Sequence, residues 1–472
     1  MNPENQEQDR SKLIIGVILG IIILLILIGV VFWLYRNKDA VISKAGGVLP
    51  FGNVTDTPRG TGSGDNTDSG TGDTAGGEGE SMFRQLVKVP VAGSIPIVKD
   101  GDEYVRYIEK ETGNVHDVRV RDGADTRMTN TTIPRVYEAY FGLNGSAVIF
   151  RYLDVDPLSQ RDVIKTSLGY INLPANVTDG SGSVIIEFLP DDITDVSVSP
   201  NGKALFYLLK TAEGISGSTI DLATKNTREI FRNSFSEWLP ALLDDGAVIL
   251  TTKPSGAVAG FAYRYDPIKR TLERTLRNKL GLTTLPNSSG SRILYEENIS
   301  RNVIFGVFDR NGFPGEEGNT AYESGLPIST LPEKCAWSRD NVHLYCASFS
   351  GNPGANIPDD WYQGTMAFKD TFWAVDTTTN EGVYIVDPMT AIKKSFDVIH
   401  PSLSTNEHYF IFVDKNDESL WAMTIPGPVQ NTAVNAGPEL SPSELKDAGL
   451  PAPQTSPATS STATKKAAPV KK

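Results

Sequence analysis

The feature that most limits how this chain can fold is a turn that returns six times between two short apolar strands. It reads LNGSAVIF at Gly145, SPNGKALFYL at Gly202, DDGAVIL at Gly246, SSGSRILY at Gly290, SRDNVHLYC at Asn341 and STNEHYFIF at Glu407. Asn-Gly and Asp-Gly supply the positive φ that tight hairpin turns demand, and the β-branched and aromatic residues after them suit strands. A second motif of strand, polar turn and strand comes next, as in STIDLATKNTREIF (218–231), YRYDPIKRTLERTL (263–276) and FWAVDTTTNEGVYIV (372–386). Each unit then holds four strands. The turns stand 57, 44, 44, 51 and 66 residues apart, near the ~40–50 residues of a propeller blade once loops are inserted. EYVRYIEKETGNVHDVRV (103–120) reads as the outer pair of an earlier unit, which makes seven. Helical periodicity is almost absent, so helical solenoids and α/β sheets are poor rivals. The expected fold is all-β, a seven-bladed β-propeller with four-stranded antiparallel blades over residues 82–425.

The last unit has three evident strands, whereas Met82–Val89 (MFRQLVKV) matches outer strands such as those ending TREIF and LERTL and has no hairpin before it. This strand is expected to complete the seventh blade and remove a free sheet edge. The pairing of SPNGKALFYL with STIDLATKNTREIF resembles the SPDGK-type repeat of WD-repeat-like propellers, as in the C-terminal domain of TolB-type periplasmic proteins. The resemblance covers about 340 residues and is most specific in this one unit. It implies a membrane-tethered binding propeller of a bacterial envelope. No TolB-like N-terminal α/β domain is present, so TolB's own role does not carry over.

Before the repeats, Leu13 to Tyr35 is a run of 23 residues without a charge. At 1.5 Å per residue it matches a hydrocarbon core of about 30 Å. A cleaved signal peptide would have a shorter apolar stretch and small residues before its cut. The expected order is therefore a cytoplasmic N-terminus (1–12), a transmembrane helix (13–35), a flexible linker (36–81), the propeller and a disordered tail (426–472). Arg10 and Lys12 before the span nearly balance Arg36, Lys38 and Lys44 after it, so orientation rests on the acidic linker and the cysteines, which favour export of the propeller. Gly16 and Gly20 form a weak small-xxx-small signal for helix pairing. Residues 60–80 hold eight Gly and five acids, too little apolar surface to offset ordering entropy. In the tail, Ser441 and Glu444 suggest a short capped helix at 442–448.

Cys335 and Cys346 are the only two cysteines. A hairpin turn at Asp340–Asn341 would set Trp337 opposite Leu344 and Cys335 opposite Cys346, close enough to bridge. The alternative is a pair of reduced core thiols, since a one-residue slip would part them.

A formal charge of −13 and the lack of a basic stripe argue against nucleic-acid binding. His116, His343, His400 and His408 show no zinc spacing, and no GxSxG elbow is present. Asp309, Asn311, Glu316 and Glu317 suggest calcium but lack EF-hand spacing. No catalytic group, cofactor or metal is expected. The best binding candidate is the insertion 350–370, where Asp359, Asp360, Trp361 and Tyr362 stand together. Rings beside carboxylates make recognition surfaces; the competing reading folds Trp361 and Tyr362 back as a plug. The expected function is a non-catalytic interaction module at the cell membrane, displayed outside the cytoplasm for a protein or an envelope polymer. The alternative is a propeller enzyme, hydrolase or lyase, acting on sugar or peptide in the central channel, with Asp154, Asp156 and Asp191 as candidate acids.

Overall fold

The computed structural model describes residues 81–427 apart from 158–159, 175, 177–178, 300–301, 313–320, 352 and 355. The expected membrane helix, Gly16 and Gly20, the linker through residue 80, the tail helix, Glu316 and Glu317 lie outside the described residues. Among the described residues no helix is long and apolar enough to cross a membrane.

Seven four-stranded antiparallel sheets form the domain. From the axis outward, blade one is β2 (Val91–Lys99), β3 (Asp102–Glu109), β4 (Val115–Arg119) and β5 (Asp125–Arg127). Blade two is β6 (Val136–Gly142), β7 (Ala147–Val155), β8 (Asp162–Asn172) and β9 (Ser183–Phe188); blade three is β10 (Ile193–Val198), β11 (Ala204–Thr211), β12 (Gly214–Asp221) and β13 (Thr227–Asn233). Blade four is β14 (Trp238–Leu242), β15 (Val248–Thr252), β16 (Ala259–Asp266) and β17 (Thr271–Leu280); blade five is β18 (Thr283–Pro286), β19 (Arg292–Ile299), β20 (Asn302–Asp309) and β21 (Tyr322–Gly325). Blade six is β22 (Cys335–Trp337), β23 (His343–Phe349), β24 (Asp370–Asp376) and β25 (Glu381–Val386). Blade seven is β26 (Val398–Leu403), β27 (Tyr409–Asp414), β28 (Leu420–Thr424) and, outermost, β1 (Phe83–Val87). Among the described residues two short α-helices, α1 (Asp359–Tyr362) and α2 (Pro388–Ile392), sit in loops.

The N-terminal strand closes the circle. Phe83 lies opposite Met423 and Gln85 opposite Trp421, and Phe83 packs against Phe372 and Phe396 in the seam between blades six and seven. One expectation needs correction: residues 103–120 form the two middle strands of blade one, not its outer pair. The inner hairpin turns at Asp100–Gly101, both at positive φ, and the short β5 forms the outer edge.

Each blade is covered on both faces by its neighbours, which is why second strands are buried without alternation; Ala147, Val148, Ile149 and Phe150 are all 0% exposed. Seven apolar clusters fill the seven seams. The recurring turns face the axis, and where glycine is missing Asn341 and Glu407 hold the same positive φ, at 59° and 58°.

Those turns also join the blades. Arg106 Nη1 of blade one donates to the Gly145 carbonyl of blade two (2.9 Å). The Leu143 N–H donates to the Gly202 carbonyl (2.7 Å), the Asn201 N–H to Asp244 Oδ1 (2.9 Å) and the Asp244 N–H to the Ser288 carbonyl (3.1 Å). The Ser288 N–H donates to Asn341 Oδ1 (3.1 Å), the Arg339 N–H to Glu407 Oε1 (2.8 Å) and the Asn406 N–H to Glu103 Oε1 of blade one (3.0 Å). The ring is complete.

Four inner strands carry a proline, Pro96, Pro240, Pro286 and Pro401. Inner strands expose one edge to the axis, where a missing N–H breaks no ladder bond. Deleting residues 82–89 strips β1 from blade seven, and burial lost at Phe83 alone is worth about 3–5 kcal/mol. A sharp fall in melting temperature is expected in a thermal unfolding scan; an unchanged melt would show that β1 does not carry closure.

Candidate functional site

The inner strands wall a central channel of about 830 Å³ to which all seven blades contribute. Its polar wall is made by irregular strands. Register shifts fall between Val91 and Gly93, Val136 and Glu138, Ile193 and Asp195, and Ile399 and Ser402. A bulge re-aims the side chains beside it, and Glu138, Asp195 and His400 line the channel as a result. His400 sits within the last bulge at φ 49°.

On the side of blades two to four the charges are matched. Arg151 Nη1 donates to Glu138 Oε2 (2.9 Å), and its Nη2 donates to the Thr194 carbonyl (3.1 Å). Tyr140 donates its hydroxyl to Glu138 Oε1. Burial pushes Asp195 up to about 6, outweighing the opposing Arg151 guanidinium. Burial also holds His400 below the usual histidine range, with Glu138 opposing.

On the side of blade six, Glu333 and Tyr362 line the same channel, and the Tyr362 hydroxyl donates to Glu333 Oε1. Burial raises Glu333 above the usual carboxylate range, and the hydrogen bond from Tyr362 partly offsets it. Behind them Glu296 is 0% exposed, and burial, with Glu333, Glu297 and Asp359 nearby, holds its carboxyl well above the usual range.

The four residues of the insertion therefore separate. Trp361 is 4% exposed, packed with Val303, Leu331, Phe349, Ile357 and Phe368, and its Nε1 donates to both oxygens of Asp397 (3.0 Å each). Asp397 in turn accepts from Lys334 Nζ (2.6 Å), whose other bonds go to Asp370 (2.8 Å) and the Val398 carbonyl (3.0 Å). This fully buried knot fastens α1 between blades six and seven. Asp359 accepts from the Gly256 N–H of blade four (2.5 Å), and the Asp360 carbonyl accepts from Thr365 and Met366. Only Tyr362 faces the channel.

Cys335 lies opposite Cys346 and Trp337 opposite Leu344, the register set by a turn at Asp340–Asn341. A disulfide joins the two cysteines. The candidate acids of the enzyme reading lie off the axis. Asp156 and Asp191 line an adjoining groove that shares Arg151 and Lys253 with the channel, where Asp191 pairs with Lys165, and Asp154 accepts from the Val155 N–H. Asp309 is an ion-pair partner of Arg292 (2.8 Å). His116, His343 and His408 pair with Asp125, Asp340 and Glu103 respectively. Among the described residues no group of three or more His, Cys, Asp or Glu is placed to hold a metal.

The class these features define is a seven-bladed β-propeller closed by its N-terminal strand, with a polar central channel. No protein-family model matches the chain, and no curated protein matches it in sequence. Among solved structures, the chain is similar to oligogalacturonate lyase from Vibrio parahaemolyticus, at 11% identity over 74% of this chain and 95% of that one, TM-score 0.48. It is similar to the β-propeller domain of Cps50 from Myceliophteria thermophila at 8% identity, 73% and 100% coverage and TM-score 0.46. TolB from Acinetobacter baumannii matches at 15% identity and TM-score 0.36 over 58% of this chain. The chain spans 59% of the length of that TolB.

Asp195 yields a pH prediction. Its carboxyl titrates near 6 in the fold against about 4 when unfolded, so its contribution to stability is present at low pH and is lost as pH rises from about 4 through 6. Asp195→Asn should stabilise the protein at pH 7.5 by about 1–2 kcal/mol, after allowance for partial solvent screening. The gain should vanish near pH 4, as read by denaturant unfolding at the two pH values.

Proposed function

We propose that this protein is a membrane-anchored, extracytoplasmic β-propeller acting as a non-catalytic binding module for an envelope protein or polymer, with the central channel as its recognition site. The observation that carries the reading is the channel itself, an 830 Å³ space to which every blade contributes. Its polar wall carries tyrosines, acids, Arg151, Lys253 and His400. Glu138 is already held by Arg151 and Tyr140, an arrangement suited to a fixed recognition surface rather than to a group that must give up its proton. The anchor rests on the uncharged run 13–35, and the export of the domain on the Cys335–Cys346 disulfide, which suits an oxidising compartment.

Narrowing the channel tests the binding reading. Ser94 lines it and is only partly buried, so Ser94→Trp should preserve the melting temperature while abolishing recovery of a partner from envelope extract by the full-length protein. Undiminished recovery would overturn the channel as the site. Topology is tested by protease added to intact cells, which should degrade the propeller epitope and spare cytoplasmic controls; a protected propeller would refute export.

A second reading is favoured by Asp195 and Glu333, two acids on the channel wall whose carboxyls burial shifts upward, the direction in which enzymes tune carboxyls for proton transfer. It is a hydrolase or lyase acting on sugar or peptide. Turnover of an oligosaccharide or peptide that Asp195→Asn or Glu333→Gln abolishes would establish it.

A further inference from the structure

The channel contains one motif twice. On blade two, Tyr140 donates to Glu138, and on blade six, Tyr362 donates to Glu333. In the first copy the protein supplies the counter-charge, since Arg151 donates to Glu138 Oε2. In the second no Lys or Arg among the described residues pairs with Glu333. Lys334, its neighbour in sequence, commits its three N–H donors to Asp370, Asp397 and the Val398 carbonyl.

The surroundings of Glu333 sharpen the contrast. Thr283 and Glu296 are opposite residues of β18 and β19, so their side chains share one face of blade five, the blade that packs against the Pro332–Lys334 turn. Both Glu296 carboxyl oxygens are buried and lack a hydrogen-bond partner among the described residues, while the Thr283 hydroxyl stands at the Glu333 carboxyl and, like Tyr362, opposes the upward pull of burial there. Buried polar atoms are seldom left in this state. Two unsatisfied oxygens behind a carboxyl that no cation pairs make a site that gains from an approaching donor. The exposed part of the site is an aromatic face, since Tyr362 is 46% exposed beside the Glu333 carboxyl. A carboxyl group next to an open tyrosine ring attracts a cation twice over, through charge and through the ring quadrupole.

We propose that the Glu333–Tyr362 wall of the channel seats a basic side chain, a lysine ammonium or an arginine guanidinium, presented by a peptide partner, which does for Glu333 what Arg151 does for Glu138. The inference rests on the reading of the channel as a binding site and names the chemistry of the group that enters it.

The test measures binding of a labelled hexalysine peptide to the full-length protein in detergent, by fluorescence anisotropy. Wild type should bind saturably, Glu333→Gln at least tenfold more weakly, and Tyr362→Ala, which removes an exposed ring with little cost to the fold, severalfold more weakly. Glu213→Gln, an exposed acid away from the channel, should bind as wild type does, which separates the site from attraction to the net negative surface. Fully acetylated hexalysine should not bind, and lysine methyl ester should compete at high concentration if the ammonium alone is read. Hexalysine binding that is absent, or is unaffected by both Glu333→Gln and Tyr362→Ala, overturns the proposal. Should Ser94→Trp lose an envelope partner that Glu333→Gln retains, the basic group is wrong while the channel stands; should Ser94→Trp retain it, the channel reading itself fails.

Discussion

The structure depends on a ring of hydrogen bonds between the turns at the axis. Seven sheets that meet mainly through apolar seams could slide past one another, because apolar packing has little direction. The turn contacts fix direction. Asp244 shows how: its carboxylate accepts from the blade-three turn while its own N–H donates to the blade-five turn, so one residue sets the position of three blades. Asn341 and Glu407 do the same work with side-chain acceptors at positions where other turns use backbone. With β1 pairing into blade seven, the circle is closed at its inner rim by turns and at its outer rim by a strand from the other end of the domain.

That double duty explains why the fold is legible in the sequence. A turn that must adopt positive φ and also lead into an apolar strand is a strong signal, and six of the seven turns carry it. The hydrophobic runs after them, such as AVIF at 147–150 and ILY at 293–295, are uniform because both faces are covered. Blade one is legible only to within one strand, since its turn at Asp100–Gly101 leads into the polar Asp102 and Glu103 rather than an apolar run. The channel is harder to see. Glu138, Asp195 and His400 reach it through bulges that break the two-residue alternation, so period alone points them elsewhere. The insertion 350–370 is marked by composition, yet its Trp361 is bound inward by Asp397, a residue 36 positions away. No local pattern encodes such a contact.

The channel divides electrostatically as a consequence of which acids find partners within the chain. Glu138 meets an arginine directly across its own strand pair. Glu333 stands in a turn before β22, with its adjacent lysine drawn into the knot beneath α1. The buried knot thus has two effects: it holds the insertion in place, and it removes from the channel wall the cation that would otherwise neutralise it. Packing inside the seam and charge on the wall are set by the same side chain.

The prolines of the inner strands have a consequence for anything that enters. A strand edge facing an open space ordinarily invites an extended peptide to add itself as a further strand through main-chain bonds. Pro96, Pro240, Pro286 and Pro401 interrupt that edge on four of the seven blades. A visitor is thereby denied a continuous backbone docking rail and must be held by its side groups. Selectivity then depends on the pendant chemistry of the guest rather than on its capacity to become part of a sheet, and the same edges are shielded from self-association into fibres.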